Sequence, residues 1–149
     1  CCPLDATQDT LRYRLAYSFC AGDSMTLVLT PQGELMTSWG MKDFSYLPNK
    51  EYAFCMIRNL MEFYKKVAKK YLFSGRMIAP PKVECEKVQV ATRNSNHVVE
   101  LETVLSSAWE AADGSRALIL VNPNAEEAVC TVEGEKIKVP PLSGIAVDL

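Results

Sequence analysis

"SSAWEAADGSRALILVNPNAEEAVCTVEGEKIKVPPLSGIAVDL", residues 106–149, sets the fold class, because short apolar runs in it are separated by turn signals at nearly even intervals. Strands are expected at Leu105 to Glu110, Arg116 to Asn122, Ala128 to Val132, Lys136 to Val139 and Gly144 to Asp148. Between them stand Asp113-Gly114, Asn122-Pro123-Asn124, Glu133-Gly134 and Pro140-Pro141, residues whose backbone preferences suit chain reversal. Upstream, Val83 and Cys85, then Val88 and Val90, then Val99, Leu101 and Thr103 hold alternate places, and Asn94-Ser95-Asn96-His97 reads as a turn. Short strands punctuated in this way predict a small antiparallel β-sandwich over 81–149.

Ahead of Pro80-Pro81 the period changes. In "NKEYAFCMIRNLMEFYKKVAKKYLFSG", residues 49–75, Ala53, Ile57, Leu60, Tyr64, Val67 and Tyr71 recur at spacings of 3 and 4, and Phe54, Met56, Met61, Ala68 and Leu72 broaden the stripe. That pattern predicts a helix with a wide buried side. Arg58, Glu62, Lys65, Lys66 and Lys69 fall opposite, and Lys65, Lys66, Lys69 and Lys70 read as a solvated face suited to a helix C-terminus. Asn49 is the expected N-cap and Gly75 the expected left-handed exit.

The opening stretch, "DATQDTLRYRLAYSFCAGD", is less uniform: Leu11, Tyr13, Leu15, Tyr17 and Phe19 alternate as a strand would. Asp5 and Gln8 fit a capping box, Leu11, Leu15 and Phe19 form one helical stripe, and Gly22 follows as a C′ glycine, so a helix is expected. Thr26 to Thr30 is β-prone and precedes a Pro31-Gln32-Gly33 turn signal, consistent with a short strand. The fold class expected is therefore α+β, with a mainly helical segment over 1–80 followed by an antiparallel β-sandwich over 81–149.

A chain that is 48% hydrophobic and 23% charged is globular rather than disordered. Its formal charge of -2, from 16 basic and 18 acidic residues, leaves no basic footprint for nucleic acid or an acidic membrane. No apolar run approaches the roughly 20 residues of a membrane helix. The chain opens on Cys1-Cys2 rather than Met and shows no signal-peptide pattern, so a processed or excised piece is expected. Six cysteines, at 1, 2, 20, 55, 85 and 130, form no CxxC and accompany a single histidine, so no metal and no cofactor are expected. Cys20, Cys55, Cys85 and Cys130 read as small buried apolar residues.

Chemistry-bearing motifs are sparse. There is no GxSxG elbow, phosphate loop, dinucleotide fingerprint or HExxH. His97, the one histidine, falls in a turn, where it reads as exposed rather than as a catalytic base. Glycoside cleavage requires two carboxyl groups about 5 to 9.5 Å apart; Asp23, Asp43 and Glu51 stand near helix ends and loops, where capping and solvation account for each. Trp39, Phe44 and Tyr46, in "SWGMKDFSYLPN", are the candidate carbohydrate-stacking residues, with a hydrophobic plug as their structural alternative. Trp109 is expected to pack on one face of its strand.

"CAGDSM", "KKYLFSGRMIAPP" and "VLSSAWEAADGSRALILVNPNAEEAVCTVEGEKIKVPPLSGIAVDL" together resemble the C-terminal region of glycoside-hydrolase-like proteins, bacterial ones among them. The resemblance covers nearly the whole chain. In that family a (β/α)8 barrel ends in helices, a short connector follows, and a small all-β domain closes the chain. The resemblance implies that 1–80 corresponds to the end of a barrel and that the β-sandwich is a structural or accessory domain. It also implies an extracellular or periplasmic location. The family's barrel needs about 250 residues, so its catalytic carboxylates have no counterpart at a numbered position here, and the chain alone is expected to be inactive. The broad apolar helix 52–72 then calls for a partner, either the remainder of a larger barrel protein or a second copy of the chain, and a glycan is a further candidate partner. A carbohydrate-binding module and a self-sufficient small α+β protein are the alternative readings.

Overall fold

A computed structural model describes residues 7–23, 31–32, 51–91 and 98–149. Helix α1 (Gln8–Cys20) is followed by α2 (Glu51–Phe63), which runs through a π-helical segment (Tyr64–Ala68) into α3 (Lys69–Leu72). Nine strands come next: β1 (Arg76–Ile78), β2 (Val83–Cys85), β3 (Lys87–Ala91), β4 (Val98–Glu102), β5 (Leu105–Glu110), β6 (Arg116–Asn122), β7 (Ala128–Val132), β8 (Glu135–Val139) and β9 (Ser143–Asp148). All their pairings are antiparallel, in sheets ordered β1-β5-β6-β9, β2-β7-β8 and β3-β4. The class is α+β, and no barrel is formed among the described residues.

The middle layer is the four-stranded sheet. Register places Leu105 opposite Val121, Ser107 opposite Ile119 and Trp109 opposite Ala117. Because side chains alternate along a strand, these residues share one face. That face packs with Tyr13, Ala16 and Phe19 of α1 and Met56 and Leu60 of α2. The opposite face presents Ala108, Leu118 and Leu120 to Cys130, Val132 and Val139 of the three-stranded sheet. β6 is thus covered on both sides, and Ala117 to Val121 are fully buried. Burying one Leu, Ile or Val side chain contributes roughly 1.5–3 kcal/mol, so the run "ALILV" anchors both cores at once.

Local chemistry explains the boundaries. Thr7 caps α1: its hydroxyl accepts from Thr10 N–H, and Thr10 Oγ1 accepts from Thr7 N–H. The box thus centres on Thr7 and Thr10 rather than on Asp5 and Gln8; Asp5 lies outside the described residues. Gly22 takes φ +74° after the helix, as expected of a C′ glycine. Glu133 and Gly134 both have positive φ, 50° and 91°, which is the two-residue reversal that matches strand twist.

Other sequence expectations change as well. Gly75 is not left-handed; a Cβ there would strike the carbonyl oxygens of Tyr71 and Glu110, so glycine is required by close backbone approach. Val67 and Met61, both expected on the buried side, are 43% and 39% exposed, whereas Ala68, expected on the same side, is buried. The π turn explains the shift at Val67: Lys69 N–H reaches back to Tyr64 O, one residue further than in an α-helix, which rotates the following side chains around the axis. Pro80-Pro81 falls between β1, which joins the middle sheet, and β2, which joins the outer one. The Asn49 cap, the 26–30 strand and the 94–97 turn lie outside the described residues.

Candidate functional site

The polar chemistry of the described residues concentrates around the turn Asn122-Pro123-Asn124. Asn122 is fully buried at the end of β6, and its Nδ2 donates to the carbonyls of Glu126 (2.7 Å) and Val139 (3.1 Å). Its Oδ1 accepts from Asn124 N–H at 2.9 Å and from Asn124 Nδ2 at 3.2 Å. Asn124 Nδ2 also donates to Thr103 O, and Asn124 O accepts from the N–H of Leu142. A buried amide left unpaired would cost about 1–3 kcal/mol, so each of these bonds fixes the turn.

Helix α1 is tied to the same turn. Arg12, 6% exposed, donates from Nε to Pro123 O at 2.8 Å, pairs with Asp9 through Nη2, and lies over the Tyr52 ring at 5.5 Å. Tyr13 donates from its hydroxyl to Glu102 O at 3.0 Å, and burial raises its pKa. From α2, Asn59 Nδ2 donates to the carbonyl of Leu142, itself buried and held at φ +50°. Helices and sheets are therefore joined by specific hydrogen bonds as well as by apolar packing.

Beside this junction opens a cleft of about 750 Å3, walled by Glu84, Cys85 and Glu86 on one side and by Asn124 to Val129 on the other. It forms because β2 pairs with β7 only from Val83 to Cys85. The chain then leaves β7, with Glu86 O taken by the N–H and hydroxyl of Thr103. Four carboxylates, Glu84, Glu86, Glu126 and Glu127, border the cleft. Lys82 pairs with Glu84 at 2.5 Å and Lys138 with Glu127 at 2.8 Å. The hydrogen bond from Lys82 holds the Glu84 carboxyl below the usual range.

Two further carboxylates are lowered in the same manner. Glu110 receives Arg116 at 2.6 Å and Arg76 at 2.9 Å, and these bonds, Arg116 first, depress its pKa. Asp113 is lowered by hydrogen bonds from the Ser115 hydroxyl and N–H. A general acid in glycoside cleavage needs the opposite shift, a carboxyl kept protonated near neutrality. Glu84, Glu110 and Asp113 act as ionised anchors. Among the described residues no group of three or more His, Cys, Asp or Glu side chains could hold a metal ion.

Trp39, Phe44 and Tyr46 lie outside the described residues, as do Asp43 and His97. Asp23 is exposed, its N–H bonded to Ser18 O at the end of α1, and Glu51 is exposed in the first turn of α2. Trp109 is 7% exposed; its Nε1 donates to Ser107 Oγ at 2.9 Å, and its ring lies against Gly22, so it offers no stacking face. Cys20 and Cys130 are buried, whereas Cys55 and Cys85 are half-buried; all four are free thiols. Of the cleft glutamates, Glu84 and Glu86 in "VECEK" carry a sequence signal, the two-residue spacing that puts both on one side of an extended chain. No family model, curated protein or solved structure matches the chain. No helix among the described residues is long and apolar enough to cross a membrane.

Proposed function

We propose that this chain is the C-terminal region of a carbohydrate-active, glycoside-hydrolase-like protein and serves as its structural, non-catalytic support. The observation that supports the non-catalytic part is the pairing of its carboxylates: Glu84 is held by Lys82, Glu110 by Arg76 and Arg116, and Asp113 by the Ser115 turn, so none of the three is placed to serve as a general acid. Family membership rests on the sequence resemblance. The helical layer supports the need for a partner, since Met61, Val67 and Phe73 stay 39%, 43% and 75% exposed on apolar side chains. Such area is worth roughly 25 cal/mol per Å2 when covered, and the remainder of a larger barrel protein, or a second copy of the chain, would cover it.

The test is a screen of aryl glycosides and polysaccharides with the 149-residue chain. The expected result is no turnover above the uncatalysed rate. Robust turnover that a single carboxylate substitution abolishes overturns the proposal. A tryptophan fluorescence titration with a glycan panel, which reports on both Trp39 and Trp109, separates it from a binding-module role: the expected result is no shift, and a saturable shift reassigns the chain to glycan binding.

A further inference from the structure

The groups left unused by that reading include two cysteines that the strand register brings together. Cys85 ends β2, Cys130 lies in the middle of β7, and the two are direct partners across the antiparallel pair. Directly opposed residues have Cβ atoms about 4.5–5.5 Å apart and point to the same face. Disulfides span Cα separations of about 4.4–6.8 Å, which an antiparallel pair satisfies, and Cβ separations of about 3.5–4.5 Å, which the edge strand reaches by closing on its neighbour by about 1 Å. Both side chains belong to the core between the two larger sheets, and they are the only cysteines in it among the described residues.

Their exposure differs in a useful way. Cys85 is half-buried and forms part of the cleft wall, with its thiol directed at Val104 O (3.7 Å), whereas Cys130 is 1% exposed beneath it. Cys20 and Cys55 belong to the other core, under the helices. Burial pushes the Cys20 thiol up to about 12, and the Cys55 sulfur accepts a contact from Asn59 Nδ2 at 3.6 Å. The strand that Cys85 terminates is also the one with most to gain from a covalent tie. β2 is a three-residue edge strand, attached to its sheet through three residue pairs.

We propose that Cys85 and Cys130 are a cross-strand dithiol, which a low-molecular-weight disulfide entering the cleft converts to a disulfide that staples β2 to β7. Cys85 loses its proton and its sulfur attacks one sulfur of the small disulfide. That S–S bond breaks, a mixed disulfide forms on Cys85, and one small thiolate leaves and takes up a proton. Cys130, deprotonated in turn, attacks the Cys85 sulfur and expels the second small thiolate, which is also protonated. The two protein thiols lose two electrons, and the small disulfide is reduced to two thiols. The order follows from access, because only Cys85 meets the cleft.

The experiment is oxidation of the full 149-residue chain with oxidised glutathione, followed by alkylation and tryptic digestion without reduction. The expected product joins the peptide 83–87 to the peptide 117–136 and is two hydrogens lighter than their sum. The thermal midpoint should rise by about 5–15 °C over the chain held in dithiothreitol. Cys85→Ser should lose both effects, and Cys55→Ser should keep both. Recovery of Cys85 and Cys130 as alkylated thiols, arrest at the glutathione adduct, linkage of Cys85 to another cysteine, or an unchanged midpoint each overturns the proposal. The peptide map is read on the unsubstituted chain, so it decides even where a variant fails to fold.

Discussion

β6, with its unbroken apolar run "ALILV", and the β3–β4 hairpin, valine-rich and interleaved with polar residues, are both β-prone, yet they end in opposite environments. β6 is paired on both edges and covered on both faces, with every residue from Ala117 to Asn122 buried. In the hairpin, Val90 alone is buried; Val88 and Leu101 are partly covered by the helical core, and Val98 and Val99 are exposed. A two-stranded ribbon is at best marginal without a surface to lean on, and α1 supplies it. β-propensity alone does not separate these two regions. What separates them is the number of neighbouring layers that the rest of the chain supplies.

The contrast can be broken most forcefully at Ile119. It lies at 0% exposure on the helix-facing side of β6, so Ile119→Ala should lower unfolding free energy by about 2–5 kcal/mol in denaturant titration. A loss below about 1 kcal/mol would mean that the helices do not close this core. Gly144 tests the same face by overfilling it. A Cβ there would stand 2.9 Å from Phe63 Cδ1, so Gly144→Ala should cost about 1–3 kcal/mol by the same titration.

The seam of the middle sheet gives a smaller effect, visible in its pH dependence. Glu110 on β5 bonds Arg76 of β1 and Arg116 of β6, and its folded pKa is lowered. A carboxyl depressed on folding contributes stability above its unfolded pKa, about 4.3 for Glu, and loses it as pH falls through the folded value. Glu110→Gln should therefore be less stable than the parent at neutral pH and lose less stability on acidification below about pH 4. Parallel slopes for the two proteins would show that these bonds contribute nothing. Smallest of all, Val98→Thr on the exposed hairpin should stay within about 0.5 kcal/mol of the parent.

Much of this architecture was legible in the sequence, and for identifiable reasons. β5 to β9 are bounded by Asp113-Gly114, Asn122-Pro123-Asn124, Glu133-Gly134 and Pro140-Pro141, and each expected strand matches the observed one to within about a residue. α1 was recoverable despite its alternating tyrosines because Leu11, Leu15 and Phe19 share a stripe. β1 was not, since "RMI" is three residues long and owes its strand character to pairing with Ala108, Trp109 and Glu110. Gly75 looks like a helix exit in the sequence because the crowding that requires glycine comes partly from Glu110, remote in sequence. The displaced stripe at Val67 and Ala68 follows from a π turn that periodicity in "EFYKKVAKKYL" does not show. For the cleft, spacing marks Glu84 and Glu86, but Glu126 and Glu127 join them only through the β2–β7 register.

Native-state hydrogen exchange tests the central claim most directly, namely that β6 is the shared wall of two cores while the hairpin leans on one. Amides of Leu118 to Val121 should exchange only through global unfolding, with protection matching the free energy from denaturant titration. Amides of β4 should exchange through local opening, at a clearly lower free energy. Equal protection in the two regions, or β6 amides opening below the global value, would contradict the account.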